Sequence, residues 1–317
     1  MHFPTIDEHR VVVLDDGFSS QLCKHVGSRV DGQPLWTASF LHTNPEDIFQ
    51  THLDFLRGGA DCISTNTYQA SVDGYVKHLN LTGKQSLQLI AGAVELAQRA
   101  RDVYTKESAN ACAPLIDDGS EYTGDYADTI AADVIKEWHR PRMAALINAG
   151  VDLLAFETIP CLKEAEALCD LLKEYPNTKA WLSFSCKGDK NLAHGEPFQE
   201  AAKRCISVNG NQILAVGVNC CDPALVSQLF DGFYNAYTCR TPLVCYPNSG
   251  ETYSREQGWL NVGHCQPLHT FVDRWLRLSV RYVGGCCRTT AGDIAHAFII
   301  AGNIWCWRKQ GCAKANP

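Results

Sequence analysis

What most limits the folds open to this chain is a recurring unit. A short apolar run ends in a polar or glycine-containing turn, and a longer helical pattern follows. The runs are Val11–Leu14, Asp61–Thr65, Asp152–Phe156, Ala180–Ser185, Ile213–Val218, Pro242–Tyr246 and Val280–Val283. An eighth, Asn110–Leu115, is weaker because alanines and Pro114 dilute it. Continuous apolar stretches without alternation are what parallel strands buried on both faces look like. Helices fit between the runs. Asn44-Pro45-Glu46-Asp47 supplies an N-cap, a proline at the first helical position and acids in the first turn. Ile48, His52, Phe55 and Leu56 follow at helical spacing, and Gly58-Gly59 ends the element. Lys163–Glu174, Gln266–Val280 and Ala131–Gly150 read the same way, with Pro141 expected to kink the last.

Eight such units in 317 residues predict an α/β fold, a (β/α)8 TIM barrel forming a single domain over residues 1–317. The polar residues agree with that reading. Asp15-Asp16-Gly17, Thr65-Asn66-Thr67-Tyr68, Glu157-Thr158, Asn219-Cys220, Pro247-Asn248-Ser249-Gly250 and Gly284-Gly285-Cys286-Cys287 each come at or just past the end of a run. A barrel gathers all of these at the C-terminal face of its strands, where such folds build their active sites. An open sheet would not bring all six to one point.

Charge excludes some functions. The formal net charge is −7 and no Lys/Arg stripe stands out, so no phosphate-neutralising surface for nucleic acid is expected. The first residues lack the basic start and long apolar stretch of a signal peptide. No apolar run reaches the ~18–20 residues that a membrane helix needs; Ala297–Trp307 comes closest and Asn303 interrupts it. A cytoplasmic protein is expected, without membrane or nucleic-acid partners.

The sixteen cysteines are spread over the whole chain, unlike a short secreted disulfide scaffold. For most of them a small buried hydrophobe is the ordinary reading. Two adjacent pairs need more: Cys220–Cys221 and Cys286–Cys287. Two glycines before Cys286 let the backbone bend tightly after a strand, which can turn neighbouring sulfurs toward one ion. Cys220, Cys286 and Cys287 would then supply three thiolates and leave one position open, the pattern of a catalytic zinc (Zn2+) rather than a structural one. No CxxC pair is present, so spacing alone leaves buried inert cysteines equally open. Cys221, beside Cys220, is a disulfide partner close at hand. Asp15 and Glu157, at strand ends, suit a substrate ammonium group or acid–base work, with helix capping as the plainer alternative. Thr65 and its neighbours read as pocket lining or turn chemistry. His194-Gly195-Glu196 and His264-Cys265 are weaker candidates, since lone histidines in polar loops are more often solvated.

Together these stretches resemble the homocysteine S-methyltransferase family, in order from about residue 10 to residue 302. The matching segments include Leu14–Gly17, Gly59–Tyr68, Asp118–Gly124, Phe156–Thr158, Gly217–Cys220, Tyr246–Glu251 and Gly284–Cys287. The resemblance implies a zinc-binding (β/α)8 barrel in which Cys220, Cys286 and Cys287 are the metal ligands. It implies that Asp15 and Glu157 hold the amino acid end of homocysteine, with Thr65 and Asn219 in the same pocket. The implied reaction moves a methyl group from a sulfonium or ammonium donor to the homocysteine thiol, giving methionine; selenocysteine is a related acceptor. Betaine-using members carry a longer C-terminal segment that supports oligomers. The short form therefore points to S-methylmethionine, or S-adenosylmethionine, as donor and to a monomer or weak oligomer. Two departures stand out: Asp16 where the family has glycine, and Ser108–Pro114 where it has a glycine-rich loop. They motivate two alternatives, betaine as donor or a paralogue that binds zinc and thiol with reduced or lost transfer.

Overall fold

Six of the apolar runs form one parallel sheet in the computed structural model, which describes residues 10–15, 17–30, 32, 34–105, 122–233, 241–254, 258–260 and 262–301. Asp16, the weak run Asn110–Leu115, the divergent segment Ser108–Pro114 and Asp118–Glu121 lie outside the described residues. The strands are β1 (Val12–Val13), β2 (Leu154–Ile159), β3 (Ala180–Phe184), β4 (Ile213–Asn219), β5 (Leu243–Tyr246) and β6 (Val280–Val283), in spatial order β1-β6-β5-β4-β3-β2. Register pairs Val13 with Val283, Val283 with Cys245, Asn219 with Tyr246, Val218 with Phe184, and Ile159 with Phe184 on its other side.

The run at 61–65 lies on the free side of β1, where Leu14 bridges Cys62 in parallel. It was expected as a strand and forms a bridge instead. The Asp61 carboxylate takes the Val13 N–H at 3.0 Å, and the Asp61 and Cys62 N–H groups both converge on the Val13 carbonyl. A side chain thus occupies a donor that a continuous ladder would use. The order along the sheet follows the order along the chain, with the first and last strands paired to each other.

Among the described residues, the helices of eight residues or more are α1 (Phe18–Val26), α2 (Pro45–Arg57), α3 (Val72–Leu79), α4 (Gly83–Thr105), α5 (Ala132–Asn148), α6 (Leu162–Leu172), α7 (Phe198–Asn209), α8 (Pro223–Phe230) and α9 (His269–Arg277), and helical residues pack against one face of the sheet. Pro45 and the first-turn acids Glu46 and Asp47 open α2 as expected, but the Asn44 side chain makes no cap hydrogen bond and donates to the Asp47 carboxylate at 2.9 Å. The helix α5 continues through Pro141. On α9, Val272, Trp275 and Leu276 form the buried face.

Two apolar layers result. The larger lies between strands and helices and contains Val13, Leu154, Phe156, Leu182, Val216, Leu243 and Val283 with helical residues such as Phe55, Leu168 and Trp275. The smaller comprises Val12, Leu14, Cys62, Leu153, Ala155, Trp181, Ala215, Val244, Tyr246 and Tyr282. Those residues alternate with the outer set along each strand, as a period of two requires. None of them sits on a helix.

A buried polar network ties connecting segments together. His139 Nε2 and Glu164 Oε1 are 2.7 Å apart, Tyr126 donates to the other Glu164 oxygen, and Arg142 reaches both His139 Nδ1 and the Ala70 carbonyl. Burial works against the Glu164 charge, but hydrogen bonds from His139 and Tyr126 and nearby cations hold its carboxyl below the usual range.

Where β4 meets β5, a methyl group at Gly217 would stand 1.7 Å from the Val244 carbonyl oxygen. Gly217→Ala should therefore destabilise the protein by on the order of 3 kcal/mol, since the two strands must separate to admit it. Equilibrium urea unfolding checks this; an unchanged midpoint would mean that the strands are not in close contact there.

Candidate metal centre

Cys220 follows β4 directly, while Cys286 and Cys287 follow β6 after two glycines. The strand β5 lies between them, and its end staples the two turns together. Cys220 N donates to the Tyr246 carbonyl at 3.2 Å, Asn248 N to Cys221 O at 3.0 Å, and Ser249 N to Cys287 O at 3.1 Å. On the other side, Gly285 N donates to the Asp15 carbonyl at 3.3 Å. Gly284 permits that approach: a Cβ there would lie 2.7 Å from both Asp15 O and Leu14 Cβ. The turn closes with Thr289, whose N–H and hydroxyl both donate to the Cys286 carbonyl.

The three sulfurs consequently lie within 4.8 Å of one another, each on a half-buried residue. Cys220 and Cys286 are joined by a disulfide, with Cα atoms 5.5 Å apart, and Cys287 Sγ stands 3.8 Å from Cys220 Sγ. In that state Cys287 keeps the one thiol of the trio. Reduction yields three soft ligands from three fixed points, a donor set suited to a thiophilic cation. The disulfide partner expected for Cys220, Cys221, is not used. Cys221 packs into the main core as a free cysteine, and burial pushes its thiol up to about 12. Cys220 itself takes a left-handed φ of 47°, uncommon outside glycine, so the chain turns between the two neighbours.

Two carboxyl groups stand at the same strand ends. Asp15 is buried beyond β1, and Ser64 donates to it through its N–H at 2.6 Å and its hydroxyl at 3.0 Å. Burial nevertheless pushes its carboxyl up to about 7. Glu157, near the end of β2, is pushed up to about 8, again chiefly by burial; Tyr246 opposes the rise and the charge of Asp15 adds to it. Such a pair favours an opposite charge between its members.

The remaining expected residues have defined places. Thr65 is buried, its hydroxyl 2.8 Å from that of Thr67. Asn219 is fully buried, and its amide pairs reciprocally with Thr158: Thr158 N donates to Oδ1 at 2.8 Å and Nδ2 donates to Thr158 Oγ1 at 2.7 Å. Thr158 has φ 56° within a bulge, where Phe156 to Ile159 of β2 opposes only Leu182 to Phe184 of β3. His194 pairs with Glu196 and Asp128, away from the sulfur cluster. Ser64, Thr158, Tyr246, Trp181 and Ser183 were not singled out from the sequence as individual functional residues. Trp181 and Ser183 were detectable as an i, i+2 pair on one strand face.

Comparison with known proteins finds relatives along most of the chain. The sequence model of a family described as Homocysteine S-methyltransferase matches residues 12–297. A Drosophila melanogaster protein named Betaine-homocysteine S-methyltransferase is 44% identical over 91% of this chain and 93% of its own length. The Homocysteine S-methyltransferase of Escherichia coli is 37% identical over 92% of this chain and 95% of its own. The crystal structure of the Escherichia coli homocysteine methyltransferase MmuM, metallated form, superposes with a TM-score of 0.79 at 33% identity, covering 92% of this chain and 96% of that one.

Two measurements test the site. Reduced Cys287→Ala should lose stoichiometric metal binding by elemental analysis, whereas Cys221→Ala should keep it; one bound equivalent in Cys287→Ala would remove that residue from the ligand set. The second concerns protons. Asp15 and Glu157 titrate above their ordinary values of 3.8 and 4.5. The folded protein therefore holds protons that the unfolded chain has released, and the associated stability is complete below about pH 4 and lost through about pH 7 to 8. Glu157→Gln should flatten part of that decline in thermal melts of ligand-free protein. An unchanged slope would place Glu157 at its ordinary value.

Proposed function

The chain belongs to the homocysteine S-methyltransferase family, and we propose that it methylates the thiol of L-homocysteine from S-methylmethionine, on a zinc ion held by Cys220, Cys286 and Cys287. The observation that carries this reading is the placement of three convergent sulfurs and two desolvated carboxyls at the same ends of one parallel sheet. We read that sheet as a closed (β/α)8 barrel forming one domain. The pairing of its first strand with its last and an inner apolar layer free of helical residues among those described support closure.

Zinc suits the ligands: thiolates ~2.3 Å from a tetrahedral ion stand about 3.8 Å apart, and the Cys220 and Cys287 sulfurs are 3.8 Å apart. Bound there, zinc would leave one position for the acceptor thiol and hold it as a nucleophile near neutral pH. Asp15 and Glu157 would take the acceptor's ammonium group, a charge each accommodates better ionised than protonated. Thr65 and Asn219 complete the pocket, the latter through its grip on Thr158. Held at both ends, homocysteine presents its sulfur to the donor methyl. The new S–C bond forms as the old one breaks, and its electron pair stays on the departing sulfide, so both products are methionine. Fixing two reactants in line supplies much of the rate.

S-Adenosylmethionine fits the same scheme as a second sulfonium donor. Betaine is the competing reading, favoured by the name of the Drosophila relative, which matches this chain over 93% of its own length. The test gives reduced, zinc-loaded protein homocysteine with each donor in turn and measures methionine. S-Methylmethionine should give the highest kcat/KM. Faster turnover with betaine would reassign the donor, and no methionine from any donor despite bound zinc would reduce the protein to a zinc- and thiol-binding paralogue.

A further inference from the structure

Tyr246 closes β5, and its phenol oxygen meets three partners from two other strands. It donates to Glu157 Oε2 at 3.0 Å, accepts from Trp181 Nε1 at 3.0 Å, and contacts the Ser183 hydroxyl. The direction of each bond follows from hydrogen-bonding capacity. An indole N–H only donates, so the phenol oxygen accepts from Trp181. A phenol has one proton, and Glu157, once ionised against the acceptor's ammonium, has none, so that proton goes to the carboxylate and Ser183 then donates to the phenol. One donor and two acceptor sites are then all used, and the hydroxyl has no rotational freedom left.

Trp181 and Tyr246 reach across β4, whose inner-layer residue is the small Ala215, and meet with ring centroids 6.1 Å apart, edge to face. Meanwhile the Tyr246 carbonyl accepts from Cys220 N. One residue thus grips the carboxylate with its side chain and the backbone of a sulfur ligand with its main chain. Among the described residues, Glu157 Oε1 takes no hydrogen bond.

We propose that Tyr246 is a positioning residue for acceptor specificity: it pins Glu157 Oε2 so that Oε1 faces the acceptor's ammonium at a fixed span from the Cys220 sulfur. This rests on the homocysteine reading above. It makes the preference for an amino thiol over a plain thiol depend on one phenol hydroxyl.

The test compares homocysteine with 4-mercaptobutyrate, which keeps the thiol, chain length and carboxylate but lacks the ammonium. In Tyr246→Phe the ratio of their kcat/KM values should fall about tenfold, the loss of one hydrogen bond to a charged group. Values for 4-mercaptobutyrate and zinc content should stay within about twofold of the parent. The ratio of dissociation constants from calorimetry should fall in parallel, which gives a readout without turnover. In a Glu157→Gln background the same substitution should change the ratio less than about twofold, because its effect runs through Glu157. An equal fall for both thiols would overturn the proposal and leave Tyr246 a structural residue, as would an undiminished effect in the Glu157→Gln background. Should Tyr246→Phe not fold, Ser183→Ala, which keeps the phenol but removes one partner, should shift the ratio the same way by about threefold; no shift there sinks the proposal. Failure of the parent protein to methylate or bind homocysteine would instead sink the underlying reading, and is seen before any variant is made.

Discussion

Everything at the site depends on two backbones touching where β1 ends and the turn after β6 begins. The missing side chain at Gly284 lets the Asp15 carbonyl accept from Gly285 N. That contact seats the cysteine turn on the strand that carries the first carboxylate. On its opposite flank the same turn is held by the end of β5, through Ser249 N and the Cys287 carbonyl. Cys286 and Cys287 are therefore fixed by main-chain bonds from both sides. Main-chain bonds of this kind hold the positions of both cysteines without relying on side-chain packing.

The site also concentrates strain and desolvation. Cys220 and Thr158 both adopt left-handed backbone angles, and they flank the Asn219 amide that clamps Thr158. Two carboxyls sit in low-dielectric surroundings with raised proton affinity. These costs are borne by a sheet buried on both faces, whose apolar layers supply the stability that the pocket lacks.

Much of this was legible in the sequence because it rests on local patterns. Apolar runs marked six strands, and residues just past them marked the site, since strand ends are recognisable where composition changes. The sulfur trio could be assembled from two Gly-bent or strand-terminal motifs once a parallel order was assumed. Features that depend on partners distant in sequence were not legible. Nothing local to Asp61 shows that its carboxylate will capture Val13 N–H and shorten a strand to a bridge. Cys221 looks equivalent to Cys220 until the left-handed turn between them sends one sulfur into the core. Tyr246 reads as another apolar strand residue; its contacts with Glu157, Trp181 and Ser183 appear only when β2 and β3 are laid beside β4 and β5.

The pairing of β1 with β6 has a consequence for how this protein is made. Val12 aligns with Tyr282, so β1 waits for this neighbour until Val280–Val283 has been synthesised. During that interval one flank of β1 is an unsatisfied strand edge rich in valine, the kind of surface that invites pairing with other chains. The arrival of Val280–Val283 covers that edge, and a few residues later Cys286 and Cys287 complete the sulfur cluster. The sulfur cluster therefore comes together only once this seam has closed.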